Sequence, residues 1–412
     1  MTERITRREF MSKTAIGAAG LAFVGTGMLS SSRAYGANDR LSIGMVGPGQ
    51  RGRSLMGDFH KAADAANAEI TAVCDIWTVN QDRGAKMVKD WWGKEPRRFR
   101  NLEDMLALDD LDGVIVATAD FQHARMLAQA VKAGKDVYCE KPMANDLEDA
   151  ENALKAVTDS GRVVQIGTQR RSDGTHAAAA ELMKSGVLGT ICKVDVSWNY
   201  YGARWRRGDL NEVKEQDVDW KRFLMGKRYR PFDPHQYMEW RLFRDFSSGI
   251  PDQWMSHMID VVHWLTGEQF PSSVVAHGGT YVWKDGRENG DTFQALLEYP
   301  KGFLASYSTT FGNDAGNSTK IYGTKGMLDC DTWKCTGSGG GDQKITEEIA
   351  IKALPSVSHM GNWLDCMRSR KQPNASILGA YSSSVAVIMA TRALHSGTKV
   401  MYDPSTQEMD EV

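Results

Sequence analysis

Short apolar runs alternate with amphipathic stretches through the first part of the chain. Strands are predicted over 41–46, 69–74, 98–100, 113–117, 136–139 and 162–166. Between them apolar positions recur at helical spacing. Helices are expected from the glycine-rich loop 47–52 to about residue 66, then over 80–92, 102–108, 123–133 and 147–160, with Gly134 and Gly161 as stops. Strand–helix repetition of this kind implies parallel strands joined by right-handed crossovers, a doubly wound α/β sheet.

The rhythm changes after Gly167. Residues 192–202, 273–284, 292–299, 302–311, 317–323 and 326–330 read as strands with few helices between them, so this sheet is predicted to be antiparallel or mixed. Residues 203–246, rich in Trp, Arg and Asp, read as one long irregular stretch, and such a stretch inside a compact domain is usually functional. Residues 337–341 form a flexible loop and 380–396 a late helix.

A chain of 412 residues exceeds one ordinary core, and the change at 166/167 divides it into a domain over 38–166 and a second over 167–412. The net charge of −2 leaves no concentrated basic surface for nucleic acid. None of the six cysteines has CxxC spacing; Cys330 and Cys335 are close enough to invite a disulfide, with free thiols the favoured reading. Cys74 and Cys139 sit in apolar strand runs as small hydrophobes.

Residues 1–37 stand apart from the fold. Arg7 and Arg8 make a twin-arginine pattern, a mild apolar stretch over 15–29 is too short and weak for a stable membrane span, and Ser32-Arg33-Ala34 has the small-x-small form of a cleavage site. The order predicts export of a folded protein to the periplasm through the twin-arginine route, with its cofactor acquired beforehand and retained.

Gly47-Pro48-Gly49-Gln50-Arg51-Gly52 is a GxGxxG loop between a predicted strand and helix, with Asp75 ending the next strand. Gly47 permits the tight turn, Gly49 the approach of a pyrophosphate and Gly52 the packing of helix on strand, with Gln50 and Arg51 completing the loop. The pyrophosphate is expected on the helix N-terminus. A carboxylate at Asp75 bonds ribose hydroxyls and repels a 2′-phosphate, so NAD is expected over NADP, a choice Arg83 would soften. The strand before residue 118 ends in Thr118-Ala119-Asp120-Phe121-Gln122-His123, and the next in Glu140-Lys141-Pro142. Ligands bind beyond the carboxyl ends of parallel strands, which places Thr118, Asp120, His123, Glu140 and Lys141 at the cofactor. Pro142 makes the peptide after Lys141 a candidate for the cis form. A lysine here polarises a substrate alcohol or relays its proton.

Together these motifs resemble the Gfo/Idh/MocA oxidoreductases, over essentially the whole chain past its first 37 residues. The resemblance implies a C-terminal α/β domain with a large open sheet, hydride transfer at a sugar or polyol carbon, dimers or tetramers, and a catalytic role for Lys141. It also implies an Asp-x-x-x-His pair on a helix of the second domain. The counterpart here is Gln253-Trp254-Met255-Ser256-His257, with glutamine where the family carries a carboxylate. His257 is then the candidate general base, expected to titrate near neutral pH. Asp252 points about 100° away on a regular helix, and Asp260 is placed to orient His257. No metal is expected from His257, Asp260 and His263, because His263 leaves that face. Arg171, Tyr201, Arg241, Gln253 and Asp260 are candidate contacts for a small carbohydrate substrate, since aromatic faces stack on sugar rings and arginines grip hydroxyls or carboxylates. The leading reading is an exported NAD-dependent oxidoreductase. Alternatives are a redox-neutral NAD-dependent glycosidase and a non-catalytic dinucleotide-bound sugar-binding protein.

Overall fold

The computed structural model describes residues 39–412, so the twin-arginine segment 1–37 lies outside the described residues. The first sheet comprises β1 (Leu41–Val46), β2 (Ala68–Cys74), β3 (Arg97–Phe99), β4 (Gly113–Val116), β5 (Asp136–Cys139) and β6 (Val164–Ile166). It is parallel throughout, in the order β3-β2-β1-β4-β5-β6. Central strands β4 and β5 are buried at every position, which is why they read as unbroken apolar runs: helices cover both faces. The order reverses at β1, so the tails of β1 and β4 diverge there and open the crevice in which this fold binds ligands.

The later strands are β7 (Ile191–Ser197), β8 (Tyr200–Tyr201), β9 (Ser273–Gly279), β10 (Thr292–Tyr299), β11 (Phe303–Thr310), β12 (Gly312–Asn313), β13 (Ser318–Gly323), β14 (Gly326–Asp329), β15 (Lys334–Thr336), β16 (Ile349–Ala350), β17 (Val400–Asp403) and β18 (Glu408–Glu411). Ten of them form one open mixed sheet, β16-β15-β14-β13-β7-β11-β10-β9-β17-β18, in which only β7 and β11 run parallel. Burial alternates along β10 and β11, so one face is covered and the other faces solvent. The helix Ile377–Ser396 is long and apolar enough to cross a membrane, but here it packs under β9, against the helices Leu147–Ser160 and Ser256–Thr266.

Three hydrophobic clusters hold the fold. The largest runs from the first sheet into the second. A second fills the other face of the first sheet and takes Trp363, Leu364 and Met367 from the helix His359–Ser369, a distant segment packed on the helix Gln50–Ala66. The third corrects the expectation that 203–246 is irregular. That segment contains the helices Trp220–Leu224 and Pro234–Met238, and Trp220, Phe223, Tyr237 and Phe246 close over Trp77 and Phe121 at the tails of β2 and β4. Burying each such aromatic stabilises by about 1.5–3 kcal/mol. The sequence pattern hid this core because its partners lie far away in the chain. All six cysteines are free, Cys330 and Cys335 included.

Candidate active site

The glycine loop follows β1 directly. Gly47 has φ +77°, and a Cβ there would meet the Ala117 carbonyl at 2.7 Å. A Cβ on Gly52 would run into the Gly47 carbonyl. Gly49 faces open space except for Asn80 at 3.7 Å, so backbone is exposed where a pyrophosphate would approach. Gly49 caps the helix Gln50–Ala66 with no side-chain bond, leaving first-turn N–H groups for an anion. These residues fit a dinucleotide.

At the end of β2, Asp75 accepts the Trp77 N–H at 2.8 Å. Burial lifts its pKa to about 7, against the pull of that N–H, of Asn80 and of Arg100 and Arg53. Thr118 is half-buried beside the glycine turn, its hydroxyl 3.6 Å from Met126 Sδ.

Two expected cofactor contacts are instead internal. Asp120 is 1% exposed and accepts from Ser247 Oγ at 2.7 Å and from Gln253 Nε2 at 2.7 and 2.6 Å. His123, also 1% exposed, holds the Pro142 carbonyl at 2.8 Å through Nδ1, and burial keeps it neutral. Neither retains surface to offer a dinucleotide. Glu140 likewise acts through a neighbour. Its Oε1 receives Arg51 Nε at 2.9 Å and Nη2 at 2.8 Å, together with Gln169 Nε2 at 3.2 Å.

Lys141 is the centre of the site, and its peptide to Pro142 is cis. Nζ donates to the Gln253 carbonyl at 3.0 Å and lies 3.5 Å from Gln253 Oε1. That same Oε1 accepts from Arg241 Nε at 2.9 Å. Gln253 therefore bridges two cations on its carbonyl side and one carboxylate, Asp120, on its amide side. An amide has both polarities, and a carboxylate in its place would face Asp120 with like charge. Burial lowers the Lys141 pKa; Asp120 and Glu140 oppose that and Arg241 adds to it. Burial also brings Arg241 down to about 10, and its guanidinium lies 3.9 Å from the Trp240 ring centre.

Pro251–Met255 is a π turn, so the regular angular step does not apply. Asp252 is fully buried: Oδ2 accepts the Ser248 N–H at 2.6 Å, while Oδ1 has no partner among the described residues. Burial and the nearby Asp120 charge hold its pKa well above the usual carboxylate range, and Lys141 opposes them.

His257 is half-buried, 6.1 Å from the Trp198 ring, and no described residue takes either ring nitrogen. It does not titrate near neutrality as expected. Burial, then Lys141, Arg170 and Arg51, push its pKa well below 6.5. Asp260 does not orient it. Both Asp260 oxygens are taken by Arg171 Nε at 2.9 and 2.8 Å, and Arg171 also lies over Trp264. This pair is a strut between helices and is spent for substrate binding. Tyr201 is 60% exposed on the β8–β12 ribbon, against Trp283. The aromatic wall beside His257 is Trp198, stacked on Trp254 at 4.8 Å and capped by Arg170 at 5.0 Å. His263 is occupied by Tyr299 Oη at 2.9 Å.

A glycine cradle, an acid at the tail of β2 and a buried lysine at the crevice fit a dinucleotide-binding domain. Residues 41–168 match the oxidoreductase family with NAD-binding Rossmann fold, and residues 176–329 match the GFO/IDH/MocA C-terminal domain. The chain belongs to the Gfo/Idh/MocA family. It is 32% identical over 155 residues to inositol 2-dehydrogenase of Rubrobacter xylanophilus, covering 37% of this chain and 42% of that one. It is 23% identical over 305 residues to the uncharacterized oxidoreductase YrbE of Bacillus subtilis, covering 72% of this chain and 75% of that one. The chain thus spans less than half the length of the inositol dehydrogenase it matches. In fold it is similar to the WlbA dehydrogenase of Bordetella pertussis, solved with NADH and UDP-GlcNAcA (TM-score 0.67, 22% identity, 88% of this chain and 99% of that one). The aldose-aldose oxidoreductase of Caulobacter crescentus, complexed with glycerol, is comparable (TM-score 0.66, 20% identity, 88% and 99%).

Proposed function

We propose that this protein moves hydride between NAD(H) and a hydroxyl-bearing carbon of a sugar or polyol, with His257 as the proton acceptor in oxidation. The carrying observation is an imidazole whose ring nitrogens no described residue takes, in a crevice where the Lys141 ammonium is fixed at 3.0 Å on the Gln253 main-chain carbonyl. Lys141 donates to the substrate oxygen and favours its developing negative charge. His257 takes the hydroxyl proton through a free ring nitrogen. The nicotinamide, when bound, supplies the acceptor for the hydride, and the carbinol carbon becomes a carbonyl. Trp198 offers a ring face to a sugar, and Arg241 is anchored toward the same centre. The relatives named inositol 2-dehydrogenase support a polyol substrate. An acid at the tail of β2, Asp75, supports NAD over NADP.

Two further parts of the reading concern where the protein works and in what state. The twin arginines support export as a folded holoprotein; replacing both with lysine is expected to hold it in the cytoplasm. The open face of the second sheet supports association with another copy. Val275 lies directly opposite Leu296 on that face, with Leu304 on the next strand, and all three are exposed.

The test is mass spectrometry of the nucleotide that accompanies the purified protein, then a panel of inositols, aldoses and glycosides with NAD. Co-purified NAD(H) and NADH formation with a polyol or sugar are expected. Glycoside cleavage without NADH build-up would replace this reading with redox-neutral hydrolysis, and binding without turnover across the panel would refute it.

A further inference from the structure

The adenosine end of the crevice carries a conflict of charge. Asp75, at the tail of β2, is a carboxylate where an NAD-binding fold meets the ribose hydroxyls. Two arginines share the place. Arg53 donates to the Pro48 carbonyl at 2.8 Å and to Asn80 Oδ1 at 3.3 Å. Arg83 lies 5.7 Å from the ring centre of Trp77, two residues beyond Asp75. Burial lowers the pKa of Arg53 and the neighbouring Arg83 charge lowers it further, while Asp75 and Glu212 raise it. Paired arginines beside the ribose are the chemistry that holds a 2′-phosphate, the group that distinguishes NADP from NAD.

The second domain supplies what opposes them. Its segment 203–213 runs back over the crevice. Glu239 anchors it by accepting from Arg206 and from the Arg207 N–H. Arg207 Nη2 then reaches Gln50 Oε1 in the glycine loop at 3.1 Å, and Glu212 Oε2 meets Arg83 Nη2 at 2.7 Å. Arg53 spends only Nη1 on Pro48 and Asn80, whereas Arg83 Nη2 is held by Glu212, so Glu212 competes with a phosphate for Arg83.

We infer that Glu212 is a specificity-determining residue for the cofactor: from the second domain it pairs with Arg83 and withholds that guanidinium from a 2′-phosphate beside Asp75. The preference for NAD is then set by carboxylates from both domains. A Rossmann domain read alone shows one acid and two arginines, an ambiguous set. The same contact joins the segment 203–213 to the helix Thr78–Trp92, so a purely structural role for Glu212 must be separated from the electrostatic one.

This inference rests on the NAD(H) reading above but is tested by equilibrium binding, so absence of turnover on any substrate panel leaves it standing. The full chain, freed of bound nucleotide, is titrated with NAD and with NADP by quenching of tryptophan fluorescence. Glu212→Gln is expected to narrow the ratio of NADP to NAD dissociation constants by about fivefold, the upper range for one exposed ion pair. Adding Arg83→Gln should restore the wild-type ratio. Arg207→Ala loosens the same segment without changing charge at the ribose, and should weaken both nucleotides alike. An unchanged ratio in Glu212→Gln, or equal changes for both nucleotides, would overturn the inference.

Discussion

The amide of Gln253 lies 2.7 and 2.6 Å from the two carboxylate oxygens of Asp120. The negative charge that the family usually places on the helix is thus supplied across the crevice, from the tail of β4, and glutamine is the side chain that can face it while still receiving Lys141 and Arg241. In Gln253→Glu two carboxylates would meet at hydrogen-bond distance, and one would have to hold a proton. The melting temperature should fall by about 4 °C near pH 8 and by less near pH 5. Adding Asp120→Asn should recover most of the loss, since the pair again opposes one amide to one carboxylate. Equal losses at both pH values, or strict additivity, would contradict the pairing.

Lys141→Ala and His257→Ala should each lower turnover by about 10²–10⁴-fold. NAD affinity should change little in either variant, because the glycine cradle and Asp75 are untouched. Lys141→Arg should keep the charge but lose the contact geometry with the Gln253 carbonyl, and so recover only part of the rate. Binding titrations beside steady-state rates separate the two effects.

The pH profile carries a sign. A base works deprotonated, so oxidation slows as pH falls through the pKa of His257. Burial and the cations Lys141, Arg170 and Arg51 place that pKa well below 6.5. The acid limb of kcat/KM is therefore expected well on the acid side of the ordinary histidine value of 6.5. Lys141 works protonated, and burial brings the alkaline limb below its ordinary 10.5. An acid limb at or above the ordinary histidine value would contradict the assignment.

Much of the first half of this account was legible in the chain. The GxGxxG turn, Asp75 and Glu140-Lys141-Pro142 stand at strand ends, where local pattern and parallel topology determine their place. What stayed hidden is non-local. Nothing near Asp120 or His123 in sequence says that their partners are Gln253, Ser247 and Pro142, and the burial that removes them from the cofactor comes from those partners. Asp260 was misread because its partner, Arg171, approaches from another helix. The π turn Pro251–Met255 does not announce itself in a pattern of apolar positions. The role of 203–246 likewise depends on Trp77 and Phe121, which stand far earlier in the chain at the tails of β2 and β4.

Asp252 is held protonated above the usual carboxylate range by burial and by Asp120. The unfolded chain gives up this proton near 3.8, so the folded state loses stability as pH rises from there through the raised pKa. Asp252→Asn removes that loss. The variant should melt close to wild type near pH 4 and about 2–4 °C above it near pH 8. A difference independent of pH would show that Asp252 is ionised throughout.

Leu296→Glu with Leu304→Glu places charge on the exposed sheet face without touching the buried one. Sedimentation should show an oligomer for the parent protein and a folded monomer for the variant. An unchanged mass would move the interface elsewhere.

The central claim is a hydride transfer in which His257 takes the proton. The most direct measurement is NADH formation from NAD across inositols, aldoses and other polyols, for the parent protein and for His257→Ala at equal cofactor occupancy. The expected result is turnover of at least one polyol or sugar by the parent and a loss of about 10²-fold or more in the variant. Equal rates in both proteins would contradict the account.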